Sequence, residues 1–371
     1  PSSMFRMKGF IKGKPKILQE LSKDWLDKNT DHYYIQVLIK DVGKHRHFPL
    51  MSFQDEDGTR QFTNDCIGKE LFVDKIMLED WIEYHKIDYE IIRGYYFDDG
   101  YNDQLKTTMK FLYEERLRQK KLENPIQETY KLIMNSAYGR LLMKPHETAT
   151  KYVAKGKPVF EGDDLGDNFS KYLNRHYNFI KSFTPDEHGK TFEVKQYAII
   201  DDHYNSVHQG VYVLSMSKRI MNEVMCLAED EDLEMYYTDT DSIHINSADV
   251  ESLEVSFSKK FGRELCGKNL GQFHGDFDLK VDGKKAKNVR SKLFIGVGKK
   301  CYIDVLEGLI KGKTVEGHHI RMKSVPNYSI KGKAKKLGWR PENLYEHMLK
   351  GKYVKIEKGK DKGKIKFKGN K

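Results

Sequence analysis

Asp239 and Asp241 are two carboxylates one residue apart, where one short strand-like segment ends and another begins. The neighbouring residues include Tyr237 and Ile243, aromatic and β-branched types that favour strands. The stretch 234–245 therefore predicts a β-hairpin with both carboxylates at its turn. Two carboxylates that face one cavity supply the oxygen ligands that Mg²⁺ prefers. The alternative is a solvated turn, because Asp and Thr are common turn residues.

A second set of polar side chains falls on one face of a predicted helix. Lys131, Asn135 and Tyr138 are spaced at i, i+4 and i+7, so an ammonium, an amide and a phenol share that face. Gly139 follows the tyrosine directly, and the absence of a side chain lets another group, such as a base pair, approach the backbone. A helix with a solvated polar stripe is the alternative interpretation.

Two consecutive helices are predicted around these residues. The apolar spacing over 105–122 indicates the first helix, on which Arg116 and Lys120 share a face. Arg118 competes with Arg116 for the same role, and the sequence leaves that choice open. The sequence Asn124-Pro125-Ile126-Gln127 then predicts a new helix with Asn124 as its N-cap, running to about residue 142.

The composition favours a nucleic-acid partner. The chain has 371 residues, a formal net charge of +10 and 12% aromatic residues. Positive charge neutralises phosphates and aromatic rings stack on bases, although a basic soluble protein without nucleic acid shares this composition. The length suffices for two or three domains.

The cysteines and the ends of the chain bear on its location. The four cysteines lie far apart and show no zinc-binding spacing, which suits a reducing compartment. No apolar run approaches membrane-spanning length, and no signal peptide is present. We therefore expect a protein that is not secreted and works in the cytoplasm, or inside a host cell or organelle. Residue 1 is Pro, so we expect the chain to start inside a longer reading frame.

Four separated motifs resemble those of family-B (alpha-like) DNA polymerases. Lys131 to Gly139 resembles the fingers-helix signature, and Tyr237-Thr238-Asp239-Thr240-Asp241-Ser242 resembles the catalytic palm hairpin. Lys300-Cys301-Tyr302 is similar to the Lys-x-Tyr element that meets the primer strand. Pro1 matches the last residue of the first catalytic motif, Asp-x-x-Ser-Leu-Tyr-Pro. The order and spacing agree over essentially the whole chain.

Within that family, the chain looks most like the protein-primed polymerases of phages, linear plasmids and related viruses. These enzymes carry two insertions, whose places are taken here by residues 5–100 and 144–200. The resemblance implies an α+β fold in the shape of a right hand, with an antiparallel palm sheet backed by helices, helical fingers and a small thumb. The implied divisions are a palm start with an insertion (1–100), fingers helices (101–143), a polar and irregular insertion (144–205), the palm with its hairpin (206–326), and a basic thumb or tail (327–371).

The resemblance also implies a reaction, which is template-directed transfer of a nucleotide from a dNTP to a primer 3′-hydroxyl or a protein-primer hydroxyl. Two Mg²⁺ ions, with Mn²⁺ as a substitute, assist this transfer. The family's first-motif Asp, its Tyr gate against ribonucleotides and its exonuclease domain would all precede Pro1. We therefore expect the isolated chain to be an inactive fragment of such an enzyme.

Specific residues take roles by the same resemblance. Asp241 is the main catalytic metal ligand and Asp239 a secondary, more distant one. The triphosphate and the nucleotide are bound by Lys131, Asn135, Tyr138, Gly139, Arg116 and Lys120. The primer and template are bound by Ser136, Lys300 and Tyr302. The implied partners are primer–template DNA, dNTPs and a terminal protein primer, with no membrane and a monomeric state.

Two other classes of function remain as alternatives. A non-catalytic basic DNA-binding module, or a polymerase remnant, accounts for the charge without a metal site. A two-metal nuclease accounts for the acidic turn, but gives no reason for the helix from Lys131 to Gly139.

Overall fold

The computed structural model describes residues 1–143, 148–156, 168–197, 205–358 and 363–367. This part of the chain contains ten α-helices: α1 (Ser2–Arg6), α2 (Lys23–Asn29), α3 (Lys75–His85), α4 (Gln104–Lys121), α5 (Gln127–Leu142), α6 (Asn168–His176), α7 (Val207–Asp230), α8 (Val250–Phe261), α9 (Asn327–Lys336) and α10 (Pro341–Leu349). None of these helices is long and apolar enough to cross a membrane.

The same residues contain twenty β-strands, which form sheets of two to four strands. They are β1 (Phe10–Ile11), β2 (Lys16–Ile17), β3 (His32–Val42), β4 (Ser52–Gln54), β5 (Arg60–Phe62), β6 (Glu70–Asp74), β7 (Ile87–Phe97), β8 (Tyr101–Asn102), β9 (Thr148–Ala154), β10 (Ile180–Pro185), β11 (Thr191–Tyr197), β12 (Met235–Asp239), β13 (Ser242–Ile245), β14 (Lys280–Val281), β15 (Lys284–Lys285), β16 (Lys287–Gly298), β17 (Cys301–Ile310), β18 (Lys313–Met322), β19 (Val354–Lys358) and β20 (Gly363–Phe367). The four-stranded sheet has the order β2-β7-β3-β6.

The chain divides into two compact units. Unit 1 consists of Pro1–Ile35, Val73–Ile76 and Arg93–Ser217, and unit 2 consists of Gln36–Phe72, Met77–Ile92 and Lys218–Lys371. Both helices and strands occur in each unit, so the expected mixture of α and β structure is confirmed.

A methionine-rich core in unit 1 supports the helix pair α4 and α5. Met109 of α4 and Met134 of α5 are both buried and pack with Met4, Tyr212 and Met216 in one cluster. Methionine is unbranched, so it fills the irregular space between helices well. Each helix buries the side that carries its methionine and leaves its polar side exposed.

Unit 1 also contains a three-stranded antiparallel sheet with the order β10-β11-β9. Helix α6 packs on this sheet through Phe169, whose ring stacks on Phe192 at 3.7 Å. The segment 144–200 was expected to be irregular, and this expectation is wrong for 148–154 and 180–197. The residues in β11 alternate, and Val194 and Gln196 are buried while Lys195 and Tyr197 are exposed. Residues 144–147, 157–167 and 198–204 lie outside the described part.

In unit 2, the predicted acidic hairpin is formed by β12 and β13. Its register changes within β12, because Met235 pairs with Ile245 whereas Tyr237 pairs with His244, which leaves Tyr236 as an extra residue. Such an insertion is a β-bulge. Met235, Ile243 and Ile245 pack against a buried cluster from α7 and α8 that includes Val224, Leu253 and Phe257. One face of the hairpin is therefore fixed on helices.

A three-stranded antiparallel sheet in unit 2 has the order β16-β17-β18. Ile303 and Ile320 of this sheet pack with Ile330 of α9, Tyr345 of α10 and Ile356 of β19 in one buried cluster. Helix α9 arises in a Lys-rich segment for which the sequence suggested only basic surface. Its buried residues, Ser329, Ile330 and Ala334, occupy one face at helical spacing.

We predict that Gly94→Ala lowers the free energy of unfolding by about 2 kcal/mol or more. A Cβ at Gly94 would lie 2.5 Å from the Tyr34 carbonyl oxygen and 2.6 Å from Ile35 Cγ2, so backbone would have to move. Urea denaturation measures the change. Gly332→Ala in α9 is the matched control, because its Cβ meets no atom within 4 Å. The control is expected to gain about 0.5–1 kcal/mol. Equal stability of Gly94→Ala and wild type would contradict this packing.

Candidate functional site

The acidic turn joins β12 to β13 through Thr240 and Asp241. Thr240 adopts the left-handed conformation at φ +60°, which is costly for a β-branched residue. The Asp241 amide donates a hydrogen bond to the Asp239 carbonyl at 2.7 Å, and the Ser242 hydroxyl donates to the same oxygen at 3.2 Å. The turn is therefore tight and holds both carboxylates at its end.

The two carboxylates have different surroundings. Lys300 Nζ lies 2.6 Å from each carboxylate oxygen of Asp239, and the Thr240 hydroxyl donates a further hydrogen bond to it at 3.1 Å. The hydrogen bond from Lys300 is the main reason that the pKa of Asp239 lies below its ordinary value. Asp241 is exposed, and no residue of the described chain gives its carboxylate a hydrogen bond or ion pair. Its oxygens are open to a ligand.

These carboxylates fit a hard divalent cation in part. Mg²⁺ takes oxygen ligands and is commonly held by one or two carboxylates together with substrate phosphates. The turn supplies two carboxylates, and the described ranges contain no group of three or more His, Cys, Asp or Glu residues that could hold a metal. The turn therefore offers two carboxylate ligands, and the described residues form no complete metal cage around them.

A cavity of about 220 Å³ opens beside Asp239. It is lined by Asp239, Lys300, Tyr302, Arg321, Met322 and Lys323. Three cationic side chains and a single carboxylate give this lining a positive balance, which attracts a phosphate group.

Lys300 occupies the turn between β16 and β17, and its backbone is fixed on both sides. Its amide donates to the Tyr237 hydroxyl at 3.0 Å, and its carbonyl accepts from the Lys323 amide at 3.0 Å. Lys300 itself has a positive φ of +56°. The rings of Tyr237 and Tyr302 lie 4.8 Å apart. The structure therefore brings Lys300 and Tyr302 to the acidic hairpin.

One buried group in unit 2 was missed by the sequence reasoning. The Asp304 side chain is fully buried in β17 and accepts a hydrogen bond from the Ser291 hydroxyl at 2.8 Å. His244 of the hairpin lies 3.6 Å from the other Asp304 oxygen, and its ring packs 4.8 Å from Phe294. The only signal in the sequence is one charged residue inside the apolar run 302–306.

In unit 1, α5 carries the second set of predicted residues. Lys131, Asn135 and Ser136 are exposed, whereas Tyr138 is partly buried against the methionine-rich core. A Cβ added at Gly139 would meet no atom within 4 Å. The predicted polar face therefore exists, and no packing contact within the described structure explains the glycine.

On the neighbouring helix α4, the two candidate arginines have different hydrogen-bond partners. Arg118 is bound to the Glu115 carboxylate, with Nη2 at 2.7 Å and Nε at 3.1 Å. Arg116 is half-buried, and its Nε has no hydrogen-bond partner among the described residues. Lys120 is exposed. Arg118 is therefore held by an ion pair on its own helix, whereas Arg116 Nε is not.

The start of α5 differs from the expectation. The helix begins at Gln127 with Ile126 as its N-cap, and the Asn124 side chain accepts a hydrogen bond from the Ile126 amide at 3.1 Å. The prediction of Asn124 as the N-cap is therefore wrong. Asn124 stabilises the turn before the helix instead, which is a common local use of its side-chain oxygen.

No protein family matches the sequence, and no curated protein does so either. Solved structures do match over 100% of the chain. They include Phi29 DNA polymerase in an orthorhombic crystal form, with a TM-score of 0.60 and 16% identity. Its post-translocation complex with primer–template DNA gives 0.58 and 15%, and its ternary complex with primer–template DNA and incoming nucleotides gives 0.59 and 14%.

The chain spans 56% of the length of these solved chains. Phi29 DNA polymerase is a protein-primed family-B polymerase, so the resemblance inferred from the sequence motifs is confirmed at the level of the fold. At this identity the likeness concerns the fold, and the roles of individual residues have to be argued from their geometry.

We predict that Lys300→Met raises the pKa of Asp239 towards its ordinary value, because the largest cause of its lowering is removed. A lowered carboxyl pKa stabilises the fold above about pH 4, and this contribution is lost as the pH falls through the lowered value. Carbon-13 NMR titration of the Asp239 carboxyl group measures the change. Lys299→Met is the control and should give a smaller shift, since Lys299 acts on Asp239 only at a distance. An unchanged Asp239 titration in Lys300→Met would refute the pairing.

Proposed function

We propose that the chain is the polymerising part of a DNA polymerase, which transfers a nucleotide from a dNTP to a primer 3′-hydroxyl or a protein-primer hydroxyl. The observation that carries the proposal is the open carboxylate of Asp241, two residues from the Asp239 that lines a cationic cavity, within a chain whose fold resembles part of Phi29 DNA polymerase. Template-directed transfer of a nucleotide needs a positioned hydroxyl and positive charge near the reacting phosphate. The lining of the cavity offers the positive charge, and the carboxylates of the turn offer oxygen ligands for a metal ion that would act on the hydroxyl.

In this proposal the fold forms a right hand. Helices α4 and α5 within 101–143 are the fingers, 206–326 is the palm with its hairpin, and 327–371 is the thumb or tail. Residues 1–100 include the start of the palm and a first insertion, and 144–205 form a second insertion. The antiparallel pairing of β12 with β13 and of β16-β17-β18 supports the assignment of the palm.

Asp241 would be the main ligand of Mg²⁺, with Mn²⁺ as a substitute, and Asp239 would lie beside it. When bound, two such ions supply charge stabilisation for the attacking and leaving oxygens. Lys300 and Tyr302 would contact the primer or the template, together with Ser136 of α5. This division between metal binding and DNA binding is supported by the exposure of Asp241 and by the cavity that Lys300 and Tyr302 line.

The fingers helices would bind the incoming nucleotide. Lys131, Arg116 and Lys120 would neutralise the triphosphate, and none of the three forms an ion pair with a described residue. Asn135 and Tyr138 would contact the sugar and base, with Gly139 leaving room for the base pair. Charged groups that have no protein partner are available to a charged ligand.

The partners follow from the same proposal. Phi29 DNA polymerase has been solved with single-stranded DNA, with primer–template DNA and with incoming nucleotides. We infer primer–template DNA and dNTPs as partners of this chain, a terminal protein as a primer, and a monomeric state. A non-catalytic DNA-binding module is the second candidate. It is favoured by the net charge of +10.

We predict that Asp241→Asn lowers the rate of Mg²⁺-dependent primer extension by the full-length gene product about 10²–10³-fold, the range for losing one group that stabilises transition-state charge. Glu251→Gln in α8 is the control. It also removes one exposed carboxylate, but at a distance from the turn in sequence. Extension at the wild-type rate by Asp241→Asn would reject the site. DNA binding without any extension in wild type would favour the non-catalytic module.

We also predict that Gly139→Ala stabilises the fold while weakening nucleotide binding. The added Cβ meets open space, so the helix should gain about 0.5–1 kcal/mol. The same Cβ occupies the space proposed for the base pair, so the KM for dNTP should rise about tenfold, equivalent to one lost close contact. Thermal unfolding and steady-state extension measure the two effects. Gly332→Ala should show the stabilisation alone, and an unchanged KM in Gly139→Ala would remove the proposed role.

A further inference from the structure

We propose that Asp239 is a positioning residue for Lys300, not a metal ligand, and that it holds the Lys300 amino group where a phosphate of primer–template DNA binds. This inference rests on the proposed function and deepens it, because it separates the two carboxylates of the acidic turn. Asp241 serves the metal, and Asp239 serves a cation that belongs to the chain itself.

Lys300 and Asp239 form a close ion pair. Lys300 Nζ lies at 2.6 Å from both Asp239 oxygens, and the Thr240 hydroxyl adds a third hydrogen bond to this carboxylate. A carboxylate with an ammonium at that distance has its charge neutralised. A divalent cation at Asp239 would have to displace Lys300 or stand beside it, and two cations at one carboxylate repel each other.

The backbone of Lys300 is fixed beside the hairpin that carries Asp239. Its amide is bound to the Tyr237 hydroxyl, and its carbonyl is bound to the Lys323 amide. Both contacts fix the backbone from which the side chain extends. Because Tyr237 is two residues before Asp239 on the same strand, the hairpin that carries the carboxylate also fixes the lysine backbone.

Asp241 has different surroundings from Asp239. This carboxylate lies two residues from Asp239, is exposed, and has no hydrogen-bond or ion-pair partner among the described residues. If both carboxylates served only the metal, no lysine would need to be paired with one of them. The unequal surroundings point to unequal tasks.

The lining of the cavity carries more cationic than anionic side chains. Lys300, Arg321 and Lys323 suit a phosphate group, whereas Asp239 is the single anionic residue of the lining. A carboxylate repels a phosphate, so its presence in this lining works against DNA binding unless it does something else there. Orienting the Lys300 ammonium towards the cavity is such a task, and it leaves the third N–H of Lys300 for the phosphate.

The test measures the affinity of the 371-residue chain for a primer–template duplex by fluorescence anisotropy, in EDTA and over a series of salt concentrations. Because no metal is present, loss of a metal ligand cannot change the result. Lys300→Met should weaken binding about tenfold and reduce the slope of log K against log salt by about one. Asp239→Asn should also weaken binding, although it removes a negative charge from a DNA-binding surface.

The double variant distinguishes coupling between Asp239 and Lys300 from independent effects of their charges on DNA affinity. Asp239→Asn combined with Lys300→Met should bind no more weakly than Lys300→Met alone, because the two residues act as one unit. Lys299→Met is the matched control, since this exposed neighbouring lysine has no ion pair with Asp239. The loss of DNA affinity in Lys299→Met should add to the loss in Asp239→Asn. Lys300→Arg should keep its affinity for the duplex when residue 239 is Asp and lose it when residue 239 is Asn. A purely structural role of Asp239 would not produce this difference.

Metal binding is the second readout, measured by Mn²⁺ titration of the full-length gene product. Asp239→Asn should change the Mn²⁺ affinity by no more than about twofold, whereas Asp241→Asn should reduce it about tenfold or more. Equal losses in both variants would overturn the inference, because Asp239 would then be a metal ligand.

Two further outcomes are informative in different ways. Tighter DNA binding by Asp239→Asn, or additive effects of Asp239→Asn and Lys300→Met, would overturn the inference and leave the proposed function intact. No affinity of the wild-type chain for primer–template DNA would count against the proposed function, and the inference would fail with it.

Discussion

The packing of Tyr237 and His244 against Tyr302 and Phe294 is the contact on which the candidate site of unit 2 depends. The ring centroids of Tyr237 and Tyr302 lie 4.8 Å apart, and those of His244 and Phe294 also lie 4.8 Å apart. Aromatic pairs at this distance combine burial with a preferred geometry. They join a hairpin and a sheet that are far apart in the sequence. The ion pair and the cavity exist only because this join brings the two turns together.

The opposite face of the hairpin provides the second constraint. Ile243 and Ile245 pack on the cluster from α7 and α8, whereas His244 faces the sheet, as expected for the period-two geometry of a strand. The hairpin is therefore held between helices and a sheet. A turn supported on both faces can keep Thr240 in a left-handed conformation that an isolated peptide would rarely adopt.

The sequence allowed prediction of features that depend on nearby residues. The hairpin at 234–245 and the helices α4 and α5 follow from local spacing, and so does the exposure of Lys131 and Asn135. The pairing of Asp239 with Lys300 joins residues 61 positions apart, and periodicity carries no information about such a contact. The sheet containing β11 was missed because its exposed lysine and tyrosine gave the segment a polar character. The sequence left Arg116 and Arg118 as alternatives, and the structure adds that Arg118 is paired with Glu115.

The single extra residue in β12 has a consequence for the whole arrangement. Met235 and Tyr237 are two positions apart and would share a face in a regular strand, yet the bulge at Tyr236 turns them to opposite faces. Asp239 lies in register with Ser242, two positions beyond Tyr237, and so on the same face as Tyr237 and Lys300. Without the extra residue, an unbroken alternation would turn this carboxylate to the helix side. The one extra residue in β12 thus determines that Asp239 faces Lys300 and not helices α7 and α8.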